Sequence, residues 1–269
     1  MTVRLGVAAA VAATLTATAA AEAEPLRVMA LDQCADQYVL ALRPEAELAL
    51  SPRADDPDSH LRGLASGRRR VRPTLEAAVG FRPGVVVRYW GGEPRLLRRL
   101  EADGVRVVEI ADAADFAGVR GNIRAVAAAL GAPERGEALI SRMDGRLAEA
   151  APPTGSGPPP EALYLTAGGF TAGQGTLVDS LLRAAGFANA APGPFFAPVS
   201  IERIALAPPV RFVLGFFDQS RGDWRGPGRH PVVRAAAAGR IAASLPASTL
   251  TCPAWFAADA AVLLAEGRP

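Results

Sequence analysis

The chain has 269 residues, half of them apolar, and 29 basic against 27 acidic side chains leave a formal charge of +2. That length builds one large or two modest globular domains, and so even a charge balance gives no broad electrostatic footprint for nucleic acid. Every one of the 29 basic residues is Arg, and His60 and His230 are the two histidines, so chemistry that needs a lysine amine is excluded, as is a multi-histidine metal cage.

At the amino terminus Arg4 is followed by an apolar stretch, Leu5 to Ala20, and then by Ala21-Glu22-Ala23, which has the small-x-small form of a cleavage site. A secretory signal peptide is predicted over residues 1–23, cut after Ala23, with Ala21 as the second choice. The run is shorter and less apolar than the roughly 20 strongly apolar residues a membrane anchor needs. No Cys stands near that site to carry a lipid, so the expected product is soluble and exported.

From Leu26 onward short apolar runs alternate with longer amphipathic ones, the pattern of strands alternating with helices. A strand is predicted over Leu26–Leu31, then a helix through Tyr38, Val39, Leu40 and Leu42 that stops before Pro44. A strand at Val85–Val87, a helix over Pro94–Asp103 closed by Gly104 and a strand at Val105–Ile110 follow. Two long helical stretches, Asp115–Leu130 and Glu134–Glu149, are separated by Gly131-Ala132-Pro133, where a break is expected. Ala151–Pro160, with five Pro and two Gly in ten residues, reads as a linker or exposed loop.

Beyond the linker the alternation restarts. Strands are predicted at Ala162–Thr166, Arg211–Phe217 and Arg240–Leu245, and helices at Thr176–Ala185, Pro231–Ala238 and Ala254–Ala265. The fold class is therefore α/β, with two lobes joined by a helical segment. The expected boundaries are a lobe over 24–130, a bridging helix and Pro-rich linker over 131–160, and a second lobe over 161–269. Ligand sites in such folds lie at the carboxyl ends of strands, and two facing lobes make a cleft.

One short motif occurs once in each half. Thr74-Leu75-Glu76 precedes Pro83 by seven positions from the Glu, and a strand follows; Ser200-Ile201-Glu202 precedes Pro209 by the same seven, and again a strand follows. Each unit combines a hydroxyl cap, a Glu in the first turn, a helix of about two turns and a Pro stop. A Glu at such a place needs no partner, because the helix macrodipole alone favours it by a few tenths of a kcal/mol up to about 1. Two at matching spacing put two carboxylates on equivalent helices.

Together with the signal peptide, the opening Val28-Met29-Ala30-Leu31-Asp32-Gln33-Cys34-Ala35-Asp36-Gln37, the run Gly175–Leu182 leading to Ala185-Gly186, and His230-Pro231, these units give a chain that resembles the periplasmic substrate-binding proteins of ABC importers for iron–siderophores, haem and vitamin B12. The resemblance implies two Rossmann-like lobes bridged by a long helix, with the ligand cleft between them. It also implies that Glu76 and Glu202 dock onto Arg residues of the importer's permease.

Strand ends place Arg88-Tyr89-Trp90, Trp224 and Trp255 near the expected cleft. Aromatic rings there could stack on a flat or catecholate ligand, while Arg88 and the run Arg68-Arg69-Arg70-Arg72 could receive its negative charge. Core packing and a solvated loop explain the same residues without a ligand. Gly168–Gly175 could hold an anion at a helix start or simply form a tight turn. Asp179 and His230 read as structural. Cys34 and Cys252 form an even pair in an exported chain, compatible with one bridge, with two separate thiols, or with a shared soft-metal site. The expected function is a monomeric periplasmic receptor with no intrinsic cofactor, carrying a metal chelate, with a ferric siderophore placed ahead of cobalamin or haem. An exported hydrolase or chelatase-like enzyme on the same scaffold is the alternative.

Overall fold

The computed structural model describes residues 25–155, 157–219 and 225–268; the predicted signal peptide and Trp224 lie outside the described residues. The first apolar run forms strand β1 (Arg27–Ala30), and Asp32 opens helix α1 (Gln33–Leu42) by accepting the backbone N–H groups of Cys34 and Ala35. Strand β2 (Glu47–Ala49) and the one-turn helix α2 (Arg62–Ala65) come next. Helix α3 (Leu75–Phe81), capped by the Thr74 hydroxyl, leads to β3 (Val85–Arg88), and α4 (Pro94–Ala102) leads to β4 (Arg106–Glu109). Then α5 (Phe116–Ala129) and α6 (Pro133–Ala150) are broken where Pro133, which lacks a backbone N–H, fits only the first turn of the second helix.

The second half opens with β5 (Glu161–Thr166), β6 (Phe170–Ala172) and α7 (Leu177–Ala184), followed by the short strands β7 (Ala188–Asn189) and β8 (Phe196–Pro198). Helix α8 (Ile201–Leu206), capped by Ser200, precedes β9 (Arg211–Gly215). The chain finishes with α9 (Pro231–Ala237), β10 (Ile241–Leu245) and α10 (Ala257–Ala265). Among the described residues no helix is long and apolar enough to cross a membrane.

Two parallel four-stranded sheets result, in the orders β2-β1-β3-β4 and β10-β9-β5-β7; β6 and β8 pair separately and antiparallel. Within each four-stranded sheet, the first strand in chain order lies between the second and the third, and the fourth lies outermost beside the third. The lobes therefore share one topology, and α3 and α8, which carry the repeated Glu, each feed the third strand of their sheet. In both lobes the chain turns back on itself between the first and third strands, which is the switch point where α/β folds place ligands.

Strand periodicity explains why both faces of each sheet are buried. In β1 and β3, Val28, Ala30, Val85 and Val87 join the large central core with α1 and α5, whereas Met29 and Val86 face the other way onto Ala78 and Phe81 of α3 and Leu96 and Leu100 of α4. In β5, Ala162 and Tyr164 face the same central core, while Leu163 and Leu165 meet Ile204 of α8 and Val233 of α9.

That central core runs through both lobes. Its spine is α6, 18 residues and about 27 Å long, packed on α5 from one half and α10 from the other. Arg120 pairs with Asp144, and Arg146 reaches Asp259 at 2.8 Å. Across the seam the Tyr38 hydroxyl donates to the Pro253 carbonyl at 2.8 Å, and His60 stacks on Phe256 with ring centroids 4.4 Å apart. Cys34 and Cys252, separated by 218 positions, are joined there in a disulfide with Cα atoms 5.5 Å apart.

Candidate ligand-binding site

Between the lobes lies a cavity of about 630 Å³, within the range of small-molecule and cofactor sites. Its N-lobe wall is Tyr89 and Trp90, directly after β3, with Asp112, just beyond β4. Opposite stand the first turns of α7, from Thr176 to Leu181, and Phe195 and Phe196 at the start of β8. The strip Thr249–Pro253 closes the third side and includes the bridged Cys252.

Trp90 is 73% exposed, Phe195 65% and Phe196 62%, so three large rings stand at the mouth of an apolar trough. Phe195 holds φ at +59°, a left-handed conformation that costs a bulky L-residue on the order of 1–2 kcal/mol. Its turn faces Gly173, whose approach is so close that an added Cβ would lie 1.7 Å from the Gly193 carbonyl oxygen. The Gly168–Gly175 run thus forms β6 and the turn into Thr176, the cap of α7, whose hydroxyl donates to the Gly173 carbonyl at 2.7 Å. Thr249 and Thr251 donate in the same way to Pro246 and Ala247, at 2.8 and 2.7 Å. Three of the hydroxyls bordering the cavity are therefore engaged by their own turns.

The Tyr89 hydroxyl donates to Asp112. Burial and that bond push the phenol up, so it stays a proton donor. The loop carrying Asp112 is held by the Asn122 side-chain amide of α5, which exchanges two hydrogen bonds with the Ala111 backbone at 3.0 and 2.8 Å.

The expected cleft residues separate into two groups. Tyr89 and Trp90 line the cavity. Arg88 does not: its guanidinium pairs with Glu109 and donates to the Gly91 carbonyl at 2.8 Å. Trp255 does not either, because it packs edge-on against Tyr38, ring centroids 5.4 Å apart, and against Phe256 in the seam. None of the Arg run lines the cavity either: Arg70 pairs with Asp55 and Arg68 donates to the Leu64 and Pro44 carbonyls, Arg69 lies over the Phe81 ring, and Arg72 is exposed. Asp179 is buried and receives the Asn189 amide at 2.9 Å, and His230 caps α9. Sequence reading missed Phe195, Phe196 and Asp112. The two Phe sit in a Pro- and Gly-rich stretch with no periodicity, and the pair of adjacent rings between Pro194 and Pro198 was the available signal.

Glu76 and Glu202 are both exposed in the first turns of α3 and α8. Both carboxyls are held below the usual range, that of Glu76 first by its own backbone N–H and then by the Thr74 hydroxyl, that of Glu202 first by the Ser200 hydroxyl. Among the described residues no group of three or more His, Cys, Asp and Glu is placed to hold a metal ion.

A family model described as periplasmic binding protein matches residues 30–214. The chain belongs to the periplasmic binding protein family. The alternative of an exported enzyme on this scaffold is thereby set aside, since the family is one of binding proteins. No curated protein matches it in sequence, but solved structures do. Periplasmic heme-binding protein RhuT from Roseiflexus sp. RS-1, in apo form, is 24% identical with a TM-score of 0.69, over 91% of this chain and 98% of that one. Periplasmic heme-binding protein BhuT in complex with two hemes is 25% identical with a TM-score of 0.65, over 90% and 98%. Periplasmic vitamin B12 binding protein BtuF of Vibrio cholerae is 20% identical with a TM-score of 0.65, over 90% and 96%. This periplasmic binding protein therefore shares the two-lobed fold of those receptors along nearly its whole length.

Proposed function

We propose that this periplasmic binding protein is an exported receptor that captures a planar metal chelate of the tetrapyrrole kind, porphyrin or corrin, between its lobes and delivers it to an ABC importer. The observation that carries this reading is the lining of the cavity: aromatic rings at the mouth, an apolar trough behind them, and no Arg among its described residues. Flat, largely apolar ligands gain from stacking and burial in such a wall, and the heme and vitamin B12 proteins named above have this fold. The expectation of a ferric siderophore leaned on Arg88 and the Arg68–Arg72 run. Arg88, Arg68, Arg69 and Arg70 are taken up by Glu109, backbone carbonyls, the Phe81 ring and Asp55, none of the run lines the cavity, and a polyanionic catecholate there would lack their counter-charge. We therefore place a tetrapyrrole first.

In this reading residues 1–23 direct export, 24–130 and 161–269 are the lobes and 131–160 is the bridge. Glu76 and Glu202 meet permease Arg residues, one per lobe, which fixes the orientation of both lobes at once. Quenching of tryptophan fluorescence should be titrated with haemin, cyanocobalamin, a ferric hydroxamate and a ferric tris-catecholate. Saturable quenching by haemin or cyanocobalamin, with the ligand recovered unchanged, is expected. Binding of the ferric chelates alone would overturn the choice of cargo, and catalytic conversion of any of them would overturn the receptor.

A further inference from the structure

The Asp32 carboxylate accepts four backbone N–H groups, two on each oxygen. Oδ1 takes those of Cys34 and Ala35, at 3.1 and 3.0 Å, and so caps α1. Oδ2 reaches across to the loop after β3 and takes those of Tyr89 and Gly91, at 2.6 and 2.9 Å. Trp90 lies between these two anchored residues, and Arg88 Nε holds the Gly91 carbonyl from the other side. The loop is drawn so close that a Cβ added at Gly91 would lie 2.5 Å from the Leu31 carbonyl oxygen and 2.9 Å from Asp32 Oδ2.

A helix cap needs one acceptor, and the second oxygen does something else. We propose that Asp32 is the positioning residue for the ligand-facing aromatic arm, holding the Tyr89–Gly91 turn so that the exposed Trp90 ring keeps one orientation over the cavity. Charge-assisted hydrogen bonds from backbone N–H groups are among the stronger ones available, and an exposed ring that rests only edge-on against Tyr89, centroids 5.5 Å apart, needs such a hold on its backbone to meet a ligand without first being ordered. The same carboxylate thereby ties the start of α1, whose Cys34 is bridged to Cys252 in the third wall, to the first wall. The proposal rests on the reading of Trp90 as a ligand contact.

Asp32→Ser separates the two roles, because a serine hydroxyl caps a helix about as well as a carboxylate and cannot also span to Tyr89 and Gly91. In an exported protein carrying Trp224→Phe and Trp255→Phe, Trp90 is the remaining tryptophan, and its fluorescence anisotropy reports on the arm without any ligand. Asp32→Ser is expected to lower that anisotropy and to weaken binding of haemin or cyanocobalamin, whichever the parent takes, by about tenfold. Gly91→Ala, which leaves the cap alone and displaces the same turn, should lower the anisotropy as well and provides the comparison if the serine variant does not fold. An unchanged anisotropy in both folded variants overturns the proposal, and so does a fall in anisotropy with parental affinity. A parent that binds neither probe overturns the cargo reading instead, and the anisotropy still decides whether Asp32 holds the arm.

Discussion

Asp36 is fully buried in α1 and accepts hydrogen bonds from the Ser51 backbone N–H, at 2.8 Å, and from the Ser51 hydroxyl. Burial outweighs those bonds and pushes its carboxyl from 3.8 up to about 7. A carboxyl raised by folding stabilises the fold fully below its unfolded value, and that contribution is lost as the pH climbs through the folded one. His60 acts in the opposite sense: burial against Phe256 lowers it, with Asp259 opposing, so its contribution is present above 6.5 and is lost on acidification. Asp36→Asn keeps a partner for Ser51 and removes the titration. Its thermal midpoint, measured against the parent, is therefore expected to improve from pH 5 up to about 7 and to level off above that, and a constant difference from pH 5 to 7 would show that the buried carboxyl carries no proton. Phe195 offers a different test at the same scale, because its φ of +59° suits glycine better than a ring. Phe195→Gly should hold or raise the unfolding midpoint while weakening ligand binding, whereas Phe195→Ala should keep the strain and weaken binding equally. A Phe195→Gly protein that binds like the parent would remove the ring from the site.

At the scale of elements, α3 and α8 carry matching caps and matching carboxylates. Replacing Thr74 or Ser200 by Ala should cost about 1 kcal/mol of stability each and leave transport intact. Glu76→Gln with Glu202→Gln should do the reverse, leaving the midpoint and ligand affinity near parental values and abolishing uptake, with each single change giving a partial loss. Uptake by the double variant at the parental rate, at limiting receptor, would reduce the two units to well-capped helices. These helices were readable in advance because cap, Glu and Pro are local signals that act within one or two turns. Strands β2, β6, β7 and β8 were not, since three residues or fewer carry no period and exist only because a neighbouring strand or loop offers hydrogen bonds.

For the molecule as a whole the decisive contacts lie along the seam. The Cys34–Cys252 bridge closes a loop of 218 positions, and chain-entropy arithmetic puts its effect on the unfolded state at about 5 kcal/mol. Non-reduced protein should weigh two hydrogens less than reduced protein, and Cys34→Ser with Cys252→Ser should unfold at markedly lower denaturant. Two thiols that alkylate freely under oxidising conditions would rule the bridge out. Since Tyr38 bonds Pro253 and packs on Trp255 beside the bridge, the strip Thr249–Pro253 is fastened to α1. The α7 side of the opposite wall is held through that same central core, into which Leu181 and Leu182 pack.

Periodicity, caps and prolines are properties of neighbouring residues, and they were sufficient for the α/β class, for the break between α5 and α6 at Pro133, and for the pair of Glu-bearing helices. The roles of Arg88 and Trp255 turned on partners far along the chain: Glu109 is 21 positions away from Arg88, and Tyr38, which touches Trp255, stands near the opposite end of the sequence. A guanidinium or an indole is equally suited to a ligand, an ion pair or a core, and its own residue type does not distinguish among them. Only the packing of β4 beside β3, and of the last loop onto α1, decided that Arg88 is neutralised and Trp255 covered while Trp90 is left facing the cavity.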